Sequence, residues 1–363
     1  MLDDFFSSGI FSTTQAAKAR LLLDELNALT RRHEAGCAAY AAIRSARGET
    51  GQTAGRIDDV PFLPVRLFKT HLLKSVPDEA VFKVLTSSGT TGQAVSQIVL
   101  DTATAQLQTR VMVGIMQHFI GKARLPMLII DHPGVVKDRT SFSARGAGIL
   151  GMSNFGRLHT YALGDEDMRL DTDAIESLVA RAAEGPILLF GFTFMVWKYL
   201  VGALRDSGRR INLANGILIH SGGWKKLEVE AVDNDAFKRE LRQWTGISRV
   251  HNFYGMVEQV GSIFVECEAG RLHAPVFSDV VIRDPLDWRP LPVGSEGLIE
   301  VVSALPRSYP GHALLTEDRG VLTGEDDCPC GRLGRTFKVL GRLPKAELRG
   351  CSDTHAQRVE AVS

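Results

Sequence analysis

Apolar residues recur at helical spacing from Thr14 to about Arg47, first as Ala17, Leu21, Leu22, Leu26 and Leu29, then as Ala38, Tyr40, Ala41 and Ile43 after Gly36. Thr13-Thr14 supplies a cap and Gly48 with Gly51 a stop, so the pattern predicts two helices. A connector rich in Gly, Asp and Pro follows. Two β-prone runs, Ala80–Leu85 and Val95–Leu100, then flank a loop made almost wholly of Gly, Ser and Thr. Beyond it, Ala103–Ile120 reads as an amphipathic helix. Short apolar runs at Pro126–Asp131, Pro186–Phe190 and Gly216–His220 read as strands, and helical stretches at Ile175–Ala183, Phe194–Leu204 and Lys225–Trp244 alternate with them. That alternation predicts an α/β unit with a largely parallel sheet. From Gly261 the texture changes. Ser262–Glu266, Val276–Ile282, Leu298–Val302, Ala313–Thr316 and Phe337–Leu340 alternate with Pro, Gly and Asp turns, which predicts a β-rich subdomain. The expected division is an α/β region over residues 1–260, the β-rich part over 261–345 and a short polar tail over 346–363.

Composition narrows the function classes. The 363 residues are 44% hydrophobic and 23% charged, enough for one large domain or two or three smaller ones. Lys+Arg and Asp+Glu both number 42, so no charge excess points to nucleic acid or a membrane surface. The acidic start Met1-Leu-Asp-Asp-Phe-Phe is not expected to act as a signal peptide. No apolar run reaches the roughly 18 residues of a membrane span. The five cysteines (Cys37, Cys267, Cys328, Cys330, Cys351) are odd in number and unevenly spaced, so reduced thiols or metal ligands are expected, in a cytoplasmic protein.

Chemistry enters at the loop Leu85-Thr-Ser-Ser-Gly-Thr-Thr-Gly-Gln93. Its glycines allow tight folding, and its amides and hydroxyls can converge on a phosphate. No Lys-Ser/Thr follows at P-loop spacing. An ordinary polar hairpin loop is the competing reading. In parallel sheets ligands gather where strands end, and two further turns fall there: Gly191-Phe192-Thr193 and Ser221-Gly222-Gly223-Trp224. Lys225 and Lys226 suit either a phosphate or a solvated helix start. His220 and His251 end apolar runs, where a buried, satisfied histidine competes with a substrate contact. Cys267-x5-His273 and Cys328-x-Cys330 together supply three thiolates and an imidazole, a donor set suited to tetrahedral Zn²⁺.

The order Ser87–Gly92, Ser221–Gly223, Tyr254–Glu258, Thr316-Glu317-Asp318 and Gly341-Arg342 resembles the adenylate-forming acyl/aryl-CoA ligase superfamily. Within it, the chain is similar to the acyl-protein synthetase (LuxE) family through Phe190-Gly-Phe-Thr-Phe194, Tyr254-Gly-Met-Val-Glu-Gln259, Ser308-Tyr-Pro-Gly-His312, Leu314–Asp318 and Gly341–Cys351. A more distant likeness, mainly around the cysteines, is to phenylacetate-CoA ligases. The resemblance implies an α/β fold with a β-rich subdomain, in a chain where only residues 343–363 stand in place of the usual mobile C-terminal domain. It also implies activation of a carboxylic acid, a fatty acid above all, with ATP and Mg²⁺, and an acyl-accepting reductase or carrier protein as partner.

Residue by residue, the resemblance gives the β/γ-phosphates to Ser87, Ser88, Gly89, Thr90, Thr91 and Gly92, and Mg²⁺ to Glu258. It gives the ribose hydroxyls to Asp318, the adenine flanks to Ser221, Gly222, Gly223 and Tyr254 with Gly255, and a hinge to Arg342. Phe192, Thr193 and His220 are candidates for acyl contact, Lys345 for the adenylation lysine and Cys351 for the acyl-carrying thiol. Two other functions stay open: a ligase donating to CoA or a carrier-protein thiol, with Cys351 incidental, and a non-catalytic nucleotide-binding subunit.

Overall fold

The computed structural model describes residues 2–87, 95–136, 144–164, 167–223 and 231–343. The helix Gln15–Gly36 starts where Thr14 caps it, the Thr14 hydroxyl accepting from the Ala17 amide at 3.4 Å. Cys37, extended at φ −131°, breaks it from the helix Ala38–Ala46 and is itself buried. Strand β1 is Leu63–Pro64, and β2 (Lys83–Thr86) pairs antiparallel with β3 (Gln97–Leu100), as the β-prone runs predict.

Then β4 (Leu125–Ile129), β5 (Gly156–Tyr161), β6 (Ile187–Phe192), β7 (Gly216–Ser221) and β8 (Arg249–Tyr254) form a parallel array in the order β5-β4-β6-β7-β8. Strands β4, β6 and β7 are apolar on both faces because helices cover both. Met127, Ile129, Leu188, Phe190, Ile217 and Ile219 pack with the helices Thr102–Ile120 and Ala144–Ser153. Leu128, Leu189 and Leu218 pack instead with Thr172–Ala182, the helical run 193–207 and Asn234–Thr245.

The sheet does not stop at residue 260. β8 pairs antiparallel with β9 (Phe264–Glu266), followed by β10 (Leu272–His273), β14 (Arg335–Arg342), β13 (Ala313–Glu325), β12 (Glu296–Ser303) and β11 (Ser278–Arg283), all antiparallel, with β1 parallel on β13. The change of texture at Gly261 therefore marks the switch from parallel to antiparallel pairing inside one twelve-stranded sheet.

Among the elements that differ from the pattern's expectation, three have a plain physical reason. Ala231–Asp233 is not helical: Asp233 caps the helix beginning at Asn234, its carboxylate accepting from the Ala236 amide at 2.7 Å. β5 escapes the apolar pattern because it is an edge strand with exposed Arg157, Leu158 and His159. β13 runs on past Thr316 through Glu317-Asp318-Arg319-Gly320, where an irregular register beside β14 accommodates residues that read as a turn. No helix among the described residues is long and apolar enough to cross a membrane.

The helix Gln15–Gly36 is fastened to the antiparallel half by buried polar groups. Lys18 Nζ, fully buried, meets Asp279 Oδ1 at 3.2 Å and the Ala274 and Ser278 carbonyls at 3.3 and 3.4 Å. The Gln15 amide donates to Asp326, and Gln15 Oε1 accepts from the Arg335 amide at 3.1 Å. Burial drives the Lys18 pKa down. It pushes the Asp279 carboxyl up, but Lys18 and Arg335 outweigh that and leave it below the usual range. Removing one member of such a pair leaves a buried charge uncompensated. Asp279→Ala should therefore lose about 3–5 kcal/mol in urea unfolding, while Lys18→Met with Asp279→Leu should lose far less.

Candidate active site

The parallel strands end level: Phe192 is in register with Ser221, and Ser221 with Phe253. Their carboxyl ends carry the candidate residues. The Ser221 hydroxyl donates to the Phe253 carbonyl at 3.0 Å, tying β7 to β8. Gly222 follows at φ +82°, and a Cβ there would sit 2.9 Å from Phe192 Cδ1. On another side of the ring, a Cβ on Gly148 would sit 3.2 Å from Phe192 Cζ. Two glycines thus make room for one phenylalanine, which explains why the turn after β7 needs Gly at its first position.

Tyr254 ends β8, and its hydroxyl donates to Asp318 Oδ2 at 2.7 Å. Asp318 lies on β13 directly across from Arg342 on β14, whose Nε donates to Oδ1 at 3.3 Å. Burial and the neighbouring Asp318 push the Tyr254 phenol well above its usual range, so it remains a donor. The carboxylate is steadied from below, with the Asp318 amide donating to Thr316 Oγ1 at 3.1 Å and that hydroxyl donating to the Ile299 carbonyl at 2.7 Å. One edge of the sheet so presents a half-buried carboxylate, a phenol and an exposed guanidinium together.

Glu258 sits in the short turn Val257–Gln259 and is buried. Tyr309 holds that turn by donating to the Glu258 carbonyl at 2.9 Å, while Gln259 Nε2 donates to the Gly311 and Val301 carbonyls at 2.8 and 3.1 Å. Gln108 Nε2 reaches Tyr309 Oη at 3.3 Å, and the Ser308 hydroxyl donates to the Val99 carbonyl at 2.9 Å. The Ser-Tyr-Pro-Gly-His stretch is thus a buttress that fixes the backbone under Glu258. No described residue donates to the Glu258 carboxylate, which leaves it available to a cation.

The other candidates fall into three groups. Ser87 closes the β2–β3 hairpin, its hydroxyl accepting from the Ser96 amide at 2.8 Å and its own amide donating to the Ser96 carbonyl at 3.1 Å. Ser88, Gly89, Thr90, Thr91 and Gly92, with Lys225, Lys226, Lys345 and Cys351, lie outside the described residues. Phe192 and His220 take opposite faces of the sheet: Phe192 packs with the first core, whereas His220 is buried 4.8 Å from the Phe237 ring. Thr193 Oγ1 is 2.9 Å from His220 Nδ1. His251 is also buried, with Nδ1 donating to the Glu266 carbonyl at 2.8 Å.

The sequence reading missed one pair at the same edge. Asp131, just past β4, is buried and lies 3.2 Å from Arg145 Nε. Burial pushes its carboxyl up. The available signal was an Asp ending an apolar strand just before His-Pro-Gly; its partner, on a helix the pattern did not mark, had none.

The sheet, its level strand ends and the Tyr254–Asp318–Arg342 cluster define the class: this is the fold of adenylate-forming ligases. It superposes on an open conformation of 2-hydroxyisobutyryl-CoA ligase in complex with 2-HIB-AMP and CoA, with a TM-score of 0.67 and 18% identity over 92% of this chain and 76% of that one. The same ligase in its postadenylation state gives a TM-score of 0.68 at 17% identity, over 92% and 69% of the two chains. The chain belongs to the acyl-protein synthetase (LuxE) family, whose model matches residues 2–360. It is similar to the long-chain-fatty-acid–luciferin-component ligase of Vibrio harveyi, 24% identical over 86% of this chain and 81% of that protein. It is likewise similar to the protein of that name from Aliivibrio fischeri, 23% identical over 84% and 80%.

Burial also sets a pH dependence. It pushes the His220 imidazole down to about 3, helped by Lys238 and His251, so the folded protein holds this ring neutral. The unfolded chain takes up the proton near pH 6.5, so the stability is complete above that pH and is lost as pH falls towards 3. The loss is about 1.4 kcal/mol per pH unit for one such group. Urea midpoints measured from pH 7 to 5 should fall, and His220→Asn should flatten the slope by about that amount.

Proposed function

We propose that this chain activates a long-chain fatty acid with Mg·ATP as an acyl-adenylate and then takes the acyl group onto Cys351 for delivery to a partner reductase. The observation that carries the reading is the Asp318 carboxylate, shared by Tyr254 and Arg342 at the carboxyl edge of the sheet, in a member of the acyl-protein synthetase family. Each Asp318 oxygen spends one lone pair on the protein and keeps another for a ribose hydroxyl.

In the first step a carboxylate oxygen attacks the α-phosphorus and pyrophosphate leaves with the electrons of the P–O bond. Two anions must meet, so the chain's task is to orient them and neutralise charge. Glu258 would hold Mg²⁺, a hard cation suited to a carboxylate whose backbone is already fixed. The Gly/Ser/Thr loop following Ser87 would bind the outgoing phosphates, Gly222-Gly223 and Tyr254 with Gly255 would flank the adenine, and Phe192 would line the acyl path. Lys345, close to the end of β14, would approach the α-phosphate. In the second step the Cys351 thiolate attacks the acyl carbonyl and AMP leaves, which keeps the activation as a thioester; the thiol proton passes to solvent. The names of the Vibrio harveyi and Aliivibrio fischeri relatives support a long-chain acid and a protein acceptor.

Intact-protein mass after incubation with Mg·ATP and a panel of carboxylic acids tests the reading. The expected result is an added acyl mass that hydroxylamine removes and Cys351→Ala abolishes, with ATP–pyrophosphate exchange intact in that variant. Exchange without an acyl adduct would instead identify an external thiol, CoA or a carrier protein, as acceptor. Absence of exchange with every acid would favour a non-catalytic subunit. Glu258→Gln should lower exchange about 100-fold or more. Asp318→Ala should raise the KM for ATP about 10- to 100-fold, the loss expected for a charged hydrogen bond.

A further inference from the structure

Two loops far apart in sequence meet beside the antiparallel strands. The first is the β9–β10 hairpin, where Cys267 opens a tight turn: its amide donates to the Arg271 carbonyl at 2.9 Å, and the Gly270 amide donates to the Cys267 carbonyl at 3.0 Å. The returning strand carries His273, in register with Val265 on one side and Thr336 of β14 on the other. The second is the connection from β13 to β14, where the Gly331 amide donates to the Cys328 carbonyl at 3.0 Å and Gly331 adopts φ +80°. This turn presents Cys328 and Cys330 to the hairpin.

The ligand atoms of Cys267, His273, Cys328 and Cys330 all lie within 4.8 Å of one another. Cys267 Sγ is 3.6 Å from Cys328 Sγ, and Cys330 Sγ is 3.3 Å from His273 Nε2. A tetrahedral zinc with Zn–S of about 2.3 Å and Zn–N of about 2.0 Å requires S···S edges of about 3.8 Å and S···N edges of about 3.5 Å. The observed separations are within a few tenths of an ångström of those edges. They are far longer than the roughly 2.05 Å of a disulfide. Cys267, His273 and Cys328 are buried, and Arg332, two residues past Cys330 and paired with Glu268 at 2.7 Å, acts electrostatically on Cys330. A guanidinium at that position offsets the net negative charge of three thiolates around a divalent ion.

We propose that Cys267, His273, Cys328 and Cys330 bind one Zn²⁺ ion as a closed tetrahedral site. Four protein ligands leave no open position, so the ion is structural and not a Lewis acid for the acyl chemistry. Binding replaces the three thiol protons, which pass to solvent. The ion staples the hairpin to the turn that starts β14, the strand that ends at Arg342 opposite Asp318. The proposal stands independently of the acyl-transfer reading.

The test uses the untagged full chain. Elemental analysis after purification should find one zinc per chain, lost in Cys328→Ser and Cys330→Ser and kept in Cys37→Ser, whose thiol is buried elsewhere. Zinc removal with a strong chelator should lower Tm, and added Zn²⁺ should restore it. Co²⁺ added to the stripped wild-type chain should give thiolate charge-transfer bands and the intense visible bands of tetrahedral cobalt, a readout that does not depend on the variants folding. A chain that carries no zinc, gives no such cobalt spectrum and melts identically with and without Zn²⁺ would overturn the proposal. So would iron at full occupancy, or a Cys267–Cys328 disulfide found by peptide mapping of freshly alkylated protein.

Discussion

The pairing of β8 with β9 is the constraint on which the rest of the molecule depends. Up to Tyr254 the sheet grows by parallel strands that need helical crossovers, with β4, β6 and β7 buried on both faces. At Phe253–Val265 and Tyr254–Phe264 the direction reverses, and every later strand joins antiparallel. A tyrosine at the end of a parallel strand is thereby brought to an aspartate in the middle of an antiparallel one, 64 residues further along the chain. Neither half of the sheet contains this cluster by itself. Parallel strands provide the level edge where ligands gather, and antiparallel strands provide the cross-strand Asp318 and Arg342 that close it.

Much of the polar chemistry in the interior serves to hold backbone in place. Tyr309, Gln259 and Gln108 spend their hydrogen bonds on carbonyls and on one another around the Glu258 turn. Thr316 does the same beneath Asp318. A short turn bearing a functional carboxylate cannot rely on sheet or helix ladders for its position, so its own Gln259, with Tyr309 and Gln108 from two distant segments, supplies the missing bonds. This explains why Ser308–His312 stands out as a motif while none of its side chains takes part in the chemistry proposed.

The sequence was most informative where a local rule and the tertiary outcome agree. Thr14 caps the helix it was expected to cap, and the apolar runs at 126–131, 186–190 and 216–220 are strands because both of their faces are covered. It was least informative at edges and across distance. β5 is polar because one side meets solvent, and Glu317–Gly320 reads as a turn because an irregular register lets polar residues and glycine continue β13. At the site, Tyr254, Glu258 and Asp318 could be picked out by their order along the chain, but the hydrogen bond that joins Tyr254 to Asp318 could not. His220 had two readings, and its Nδ1 contact with Thr193 and its packing on Phe237 put it in the second core, on the face away from Phe192. The Asp131–Arg145 pair had only half a signal, since its arginine lies on an unmarked helix.

The attachment of Gln15 and Lys18 to Asp279, Asp326 and Arg335 constrains how the molecule can be made. These bonds join residues as many as 320 positions apart. On the ribosome, the helix Gln15–Gly36 emerges long before Asp279, Asp326 and Arg335. Until β11 is synthesised, Lys18 has no Asp279 to face, and the apolar side of its helix has only part of its core. Contacts of such span are slow to form and leave a nascent chain exposed to aggregation. Docking of this helix therefore waits on β11 and β14, and a lysine that ends fully buried spends that interval in water.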